Sequence, residues 1–157
     1  MPPHGAAILS AQREVRPVRR LLFPLLLSLL APAAPAGAQT EQRYDSHGRS
    51  VGRTETRGDT IRFYDAQGRS TGRGEIRDGT TRFYDARGRA TGRGETRDGT
   101  TRFYDAQGRS AGRAETQGGT MRFYDARGRS TGRGETRGDT TRFYDAQGRG
   151  AGRKEAR

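Results

Sequence analysis

The sequence predicts an all-β chain, a tandem antiparallel meander of β-hairpins built on a 20-residue repeat. Three observations carry this. Tyr44, Tyr64, Tyr84, Tyr104, Tyr124 and Tyr144 fall in strict 20-residue register and are every tyrosine present, while Phe63, Phe83, Phe103, Phe123 and Phe143 stand directly before the last five. Self-similarity at a fixed period means that one supersecondary unit is multiplied. Two turn signals alternate along each unit, and the segments between them are rich in Thr, Phe, Tyr and Arg with no helical periodicity.

Residues 1–38 read as a secretory signal peptide. Arg16, Arg19 and Arg20 precede an apolar run over 21–30, and Pro/Ala-rich sequence leads to Ala36-Gly37-Ala38, the small-x-small pattern that signal peptidase cleaves after Ala38. The run is interrupted by Pro24 and Ser28 and falls short of the roughly 20 residues a span requires, so no membrane span is expected in the mature chain. The expected location is outside the cytoplasm: the periplasm, the outer cell surface or the extracellular medium. Cysteine is absent, which excludes disulfides, thiol chemistry and a lipoprotein anchor.

Residues 39–157 form the array of five to six units. They hold 26 basic against 17 acidic side chains, a net charge of +9, and Lys154 is the one lysine. A GC-rich genome would favour such an Arg, Gly and Ala composition. Guanidinium forks also bind carboxylate and phosphate bidentately, which makes anionic partners the functional account.

Within a unit, Asp65-Ala66-Gln67-Gly68 and its equivalents make the first turn, with Asp opening and Gly where φ is positive. The second varies as Gly58-Asp59, Asp78-Gly79, Asp98-Gly99, Gly118-Gly119 and Gly138-Asp139. Each version suits a two-residue hairpin loop, Asp-Gly as type I′ and Gly-first as type II′. Arg97 then faces Thr100, Glu95 faces Arg102, Gly94 faces Phe103 and Arg93 faces Tyr104. A four-residue loop from Asp85 to Gly88, closed by Tyr84 and Arg89, keeps every unit on the same face.

Those registers give two faces. One carries Thr81, Phe83, Ala90, Gly92, Gly94 and Thr96, a packing face where Phe63, Phe83, Phe103, Phe123 and Phe143 lie over glycine backbone. The apolar variants Ile61, Ile76 and Met121 fall on it, whereas Val51 does not. The opposite face gathers Arg62, Tyr64, Arg69 and Arg73, then Arg82, Tyr84, Arg89 and Arg93, Arg102, Tyr104, Arg109 and Arg113, Arg122, Tyr124, Arg129 and Arg133, and Arg142 with Tyr144. One Phe per unit buries too little to order twenty residues, so isolated units do not fold. The array is expected as a single-layer or stacked sheet. The competing expectation is disorder until a partner binds.

The string Tyr64-Asp65-Ala66-Gln67-Gly68-Arg69, repeated at Tyr84, Tyr104, Tyr124 and Tyr144, resembles the YD repeat of Rhs and teneurin-type proteins. The resemblance covers Tyr44 to about Arg149. It implies a secreted or surface array of β-hairpins, in large members winding into a hollow shell associated with carbohydrate or cell-surface contact. This chain departs in placing Phe63 immediately before Tyr64, in having Ser70 or Ala90 after Gly-Arg, and in adding a second Gly-Arg at Gly72-Arg73. Hairpin architecture carries over; the encapsulating role does not.

His4 and His47 are the two histidines, so no metal spacing and no nucleophile-base constellation can be assembled. No catalysis, cofactor or metal is expected. Arg57-Gly58-Asp59 and Arg137-Gly138-Asp139 spell a tripeptide that adhesion receptors read, but the Asp-Gly and Gly-Gly versions elsewhere make it a turn permutation. The Arg/Tyr face suits anionic polysaccharide or a glycan surface, since stacked Arg and Tyr accept charged groups and flat sugar rings. The same contacts can instead be internal, with Arg over Tyr and Glu95 against Arg102. Two further expectations follow: self-assembly into a homo-oligomer by stacking of Phe faces, and extracellular nucleic-acid binding, which export disfavours.

Overall fold

The computed structural model describes residues 38–157. The expected signal run and Ala36 lie outside the described residues, and Ala38 is the first of them. The chain forms twelve strands: β1 (Gln39–Tyr44), β2 (Ser50–Arg57), β3 (Thr60–Asp65), β4 (Ser70–Arg77), β5 (Thr80–Asp85), β6 (Ala90–Arg97), β7 (Thr100–Asp105), β8 (Ser110–Gln117), β9 (Thr120–Asp125), β10 (Ser130–Arg137), β11 (Thr140–Asp145) and β12 (Gly150–Ala156). Each pairs antiparallel with its sequence neighbours, and β1 pairs with β12, so the meander closes into a barrel.

Closure corrects the expected single-layer or stacked sheet. An open meander leaves two strands with unpaired backbone groups and leaves the Phe face against water; closing the ring removes both costs. The two chain ends supply complementary half-units. β1 occupies the place of the Phe-Tyr strand, β12 that of the Gly-Arg strand, and between them they complete a sixth unit across Glu41–Tyr44. Stacking of Phe faces between molecules has no surface to act through, because those rings line the barrel interior.

The interior is built from one Phe per unit and small residues around it. Phe63 is fully buried, and Phe83, Phe103, Phe123 and Phe143 are all under 10% exposed. Ile61, Met121 and Ala114 join them, with the buried hydroxyl-bearing Thr54, Thr101 and Thr141. Phe103 lies against Gly94 so closely that a Cβ there would sit 3.3 Å from the ring. Thr96 and Thr101 exchange a hydroxyl hydrogen bond of 2.8 Å, as Thr136 and Thr141 do at 2.9 Å, so these interior oxygens are satisfied.

The two-residue turns set the register anticipated for them. Arg97 pairs with Thr100, Glu95 with Arg102, Gly94 with Phe103 and Arg93 with Tyr104. Asp98 and Gly99 have φ of +49° and +73°, the type I′ signature, whereas in Gly58-Asp59 only the glycine is positive, as type II′ requires; Gly118-Gly119, expected as type II′, instead has both φ positive, +56° and +76°, as in type I′.

The other turn differs from the four-residue loop expected. The Asp85 N–H donates to the Arg89 carbonyl at 2.9 Å, and the Gly88 N–H to the Asp85 carbonyl at 3.0 Å. Tyr84 therefore pairs with Ala90 rather than Arg89, and Phe83 pairs with Gly92, leaving Thr91 as a bulge. The cause lies in the Asp85 carboxylate, whose Oδ1 accepts from the N–H groups of Arg87 and Arg89, both at 2.9 Å. A five-residue loop plus one bulged residue preserves parity, so Phe83 still faces inward. Ala90, expected on the packing face, lies exposed outside.

Candidate functional site

The outer surface of the barrel repeats a row of four side chains across four consecutive strands. Glu75 on β4 stands opposite Arg82 on β5, Arg82 opposite Arg93 on β6, and Arg93 opposite Tyr104 on β7. Advancing by twenty residues generates Glu95–Arg102–Arg113–Tyr124 and Glu115–Arg122–Arg133–Tyr144. Glu55–Arg62–Arg73–Tyr84 precedes them, and Glu135–Arg142–Arg153–Tyr44 follows. The row across the closing strands is Glu155–Gln42–Arg53–Tyr64, in which glutamine replaces the first arginine.

The two arginines of a row have different partners. Arg53, Arg73, Arg93, Arg113, Arg133 and Arg153 each place their guanidinium 4.2 to 4.5 Å from the centroid of the Tyr ring opposite. The same arginines donate through Nε to the glutamate two residues on in their own strand, at 2.7 to 3.0 Å. Each guanidinium is thus fixed between a ring face and a carboxylate. Tyr64 closes one such set by donating its hydroxyl to Glu55 at 3.4 Å. The carboxyls of Glu55 and Glu115 are held below the ordinary glutamate range, first by the hydrogen bonds from Arg53 and Arg113.

The sequence assigned Glu95 to Arg102, but the carboxylate takes Arg93 instead. Both lie on one strand and one face, and the Tyr104 ring already holds the Arg93 guanidinium in place. The side chains of Arg62, Arg82, Arg102, Arg122 and Arg142 are exposed and make no direct hydrogen bond or ion pair among the described residues, although the charge of Arg122 acts on Glu115. A shallow cleft lined by Arg122, Ser130, Gly132, Arg133, Asp145 and Ala146 brings the outward Arg122 beside the tyrosine-stacked Arg133. Equivalent residues recur at each twenty-residue step.

Arg69, Arg89, Arg109 and Arg129 do not belong to this surface. They sit in the five-residue loops at one end of the barrel, each binding the Asp four residues before it at 2.7 to 2.8 Å. Arg49 and Arg149 do the same at 2.9 and 2.7 Å. Tyr44, Arg53 and Arg153 complete the ring of stacked pairs although sequence reasoning left them out; the twenty-residue period, extended to both ends, would have found them. The six glutamates were missed as the groups that orient the stacked arginines.

The loop aspartates titrate low. Asp85 is held below the ordinary range chiefly by the Arg89 N–H, with the Arg89 guanidinium adding to it. Asp45, Asp65, Asp105, Asp125 and Asp145 are lowered by the equivalent backbone donor. A folded value below the unfolded one, ~3.9, gives stability that is complete above about pH 4 and is lost as the pH falls through the depressed value. Carbon-detected NMR of the Asp85 carboxyl is expected to give a midpoint below ~3.9. A midpoint at or above that value would remove the loop hydrogen bonds as a source of acid sensitivity.

Comparison with protein-family models and with curated proteins gives no match. The likeness to the YD repeat rests on the Tyr-Asp-x-x-Gly-Arg string, and the reading of function rests on the geometry of the outer surface.

Proposed function

We propose that the chain is an exported, non-enzymatic binding module whose outer arginine belt holds polyanionic or acidic glycan surfaces. The observation that carries this is the set of Arg62, Arg82, Arg102, Arg122 and Arg142, exposed and with no direct side-chain hydrogen bond or ion pair among the described residues, one on every second strand. Strand spacing sets their backbones roughly 10 Å apart around the barrel. Beside each lies an arginine stacked on tyrosine, a flat amphipathic platform of the kind that sugar rings pack against. A polymer bearing regularly spaced carboxylates or sulfates can engage several units together, gaining by multivalency what a single exposed ion pair lacks.

The same surface supports a location in water. A membrane-spanning barrel carries an apolar outward band, whereas the outward positions here are Arg, Glu, Tyr and Thr. Among the described residues Val51, at 45%, is the exposed large hydrophobic.

Replacing the five arginines by serine tests the reading. If each contributes about 0.5 kcal/mol to a multivalent contact, the variant should bind an anionic polysaccharide roughly seventyfold more weakly. It should also elute at lower salt, with an unchanged far-ultraviolet circular dichroism spectrum. Equal retention of the two proteins, or retention insensitive to salt, would sink the proposal.

A further inference from the structure

The pairing of β1 with β12 differs from the other strand pairings in having no turn to enforce it. It spans the four positions Glu41–Tyr44, and Glu41 and Lys154 are 113 residues apart in sequence. It also differs in what it buries. Where the other units place Ile61, Thr81, Thr101, Met121 or Thr141, β1 has Glu41; where they place Phe, it has Arg43; and where β4, β6 and β10 have glycine, β12 has Lys154. Lys154 and Glu41 are both buried, and the Lys154 ammonium donates to Glu41 Oε1 at 2.8 Å. Arg43 pairs directly with Lys154 across the strands and reaches the Tyr64 carbonyl at 3.4 Å. The buried carboxylate of Glu41 is therefore matched to the buried ammonium of Lys154.

An ideal repeat has a weakness that this arrangement addresses. Any Phe-Tyr strand could pair with any Gly-Arg strand, so a chain of identical units has no reason to close after six rather than to pair with a shifted unit or a neighbouring molecule. A strand of the β3, β5, β7, β9 or β11 type set beside β12 would present Phe and a small or aliphatic residue to Lys154. That would leave a buried ammonium without a counter-ion, which is heavily penalised. We infer that Glu41 and Lys154 act as an address: they admit β1, from the same chain or from a second copy, as the strand beside β12, and so fix six units per barrel. A second copy can supply it by strand exchange, with the Asp45–Arg49 loop opening as the hinge.

Charge-swapped variants of the chain starting at Gln39, refolded from denaturant and weighed by native mass spectrometry, test this. Glu41→Lys sets a second ammonium against Lys154, and Lys154→Glu sets a second carboxylate against Glu41; each alone is expected to lose the closed monomer. The double variant Glu41→Lys/Lys154→Glu should regain it. An equimolar mixture of the two single variants should give a 1:1 complex of twice the monomer mass, because exchange of β1 restores both pairs. Closure of Glu41→Lys as a monomer with an unchanged denaturation midpoint would overturn the inference. A double variant no better than the singles would do the same. Absence of the mixed complex when the double variant does close would overturn the acceptance of a second copy.

Discussion

Phe63→Ala is expected to lower the free energy of unfolding by about 3–5 kcal/mol. Phe63 is fully buried and stands between Thr54 on one neighbouring strand and Gly72 on the other. Neither neighbour has a side chain long enough to fill the volume that the ring vacates. The backbone cannot collapse inward either, because closure of the ring fixes the separation of strands across the interior. The lost transfer free energy is therefore accompanied by an unrelieved cavity. Urea denaturation followed by circular dichroism reads this as a lower midpoint at unchanged slope. Arg62→Ala, one residue away but pointing outward, serves as the control and is expected to change stability by less than about 0.5 kcal/mol. Equal losses in the two variants would mean that stability does not come from the packed interior.

What the sequence revealed of this architecture follows the range of the interactions involved. The Asp98-Gly99 turn and its Gly-first variants specify their own backbone, so the pairing from Arg97–Thr100 to Arg93–Tyr104 could be read residue by residue. The Asp85–Arg89 loop was misjudged by one residue because a carboxylate accepting two backbone N–H groups outweighed simple counting. The faces survived that misjudgement because the bulge at Thr91 restored the parity. Closure was hidden for a different reason. It brings Glu41 to Lys154 across a separation of 113 residues, and no local turn chemistry announces it. The clue lay in the departures from the repeat at its two ends, where an acid replaces an interior threonine or aliphatic residue and the one lysine replaces glycine. The alternation of the repeat put the tyrosines and strand arginines on one face, where the structure has them, yet it could not tell which arginine each glutamate would choose. The choice of Arg93 over Arg102 depends on the Tyr104 ring already fixing one guanidinium.

The same bulge that restored parity predicts where the barrel is least tolerant of change. Gly112→Ala is expected to destabilise by about 2–5 kcal/mol, combining backbone strain with a collision that forces neighbouring strands apart. Gly112 follows the bulged Ala111, pairs with Phe103, and has φ of +141°. A Cβ at this position would collide with the carbonyl oxygen of Tyr124 on the adjoining strand. Gly118 separates the two contributions. It has φ of +56° in a tight turn with nothing within 4 Å of its would-be Cβ, so Gly118→Ala bears only the conformational cost, about 1–2 kcal/mol. Thermal and urea midpoints of both variants should therefore differ by more than the error of either. Equal losses would show that φ alone limits the Gly112 position and that the strands can yield to a methyl group. If the loss at Gly112 is the larger, the excess combines the cost of its φ, well outside the left-handed region that Gly118 occupies, with the close approach of strands at the bulge. Bulges and glycine kinks supply the curvature that turns a flat sheet into a barrel, and Gly112 shares this position with its counterparts Gly52, Gly72, Gly92, Gly132 and Gly152. Each of these has φ between +138° and +156° and opposes the carbonyl of a tyrosine.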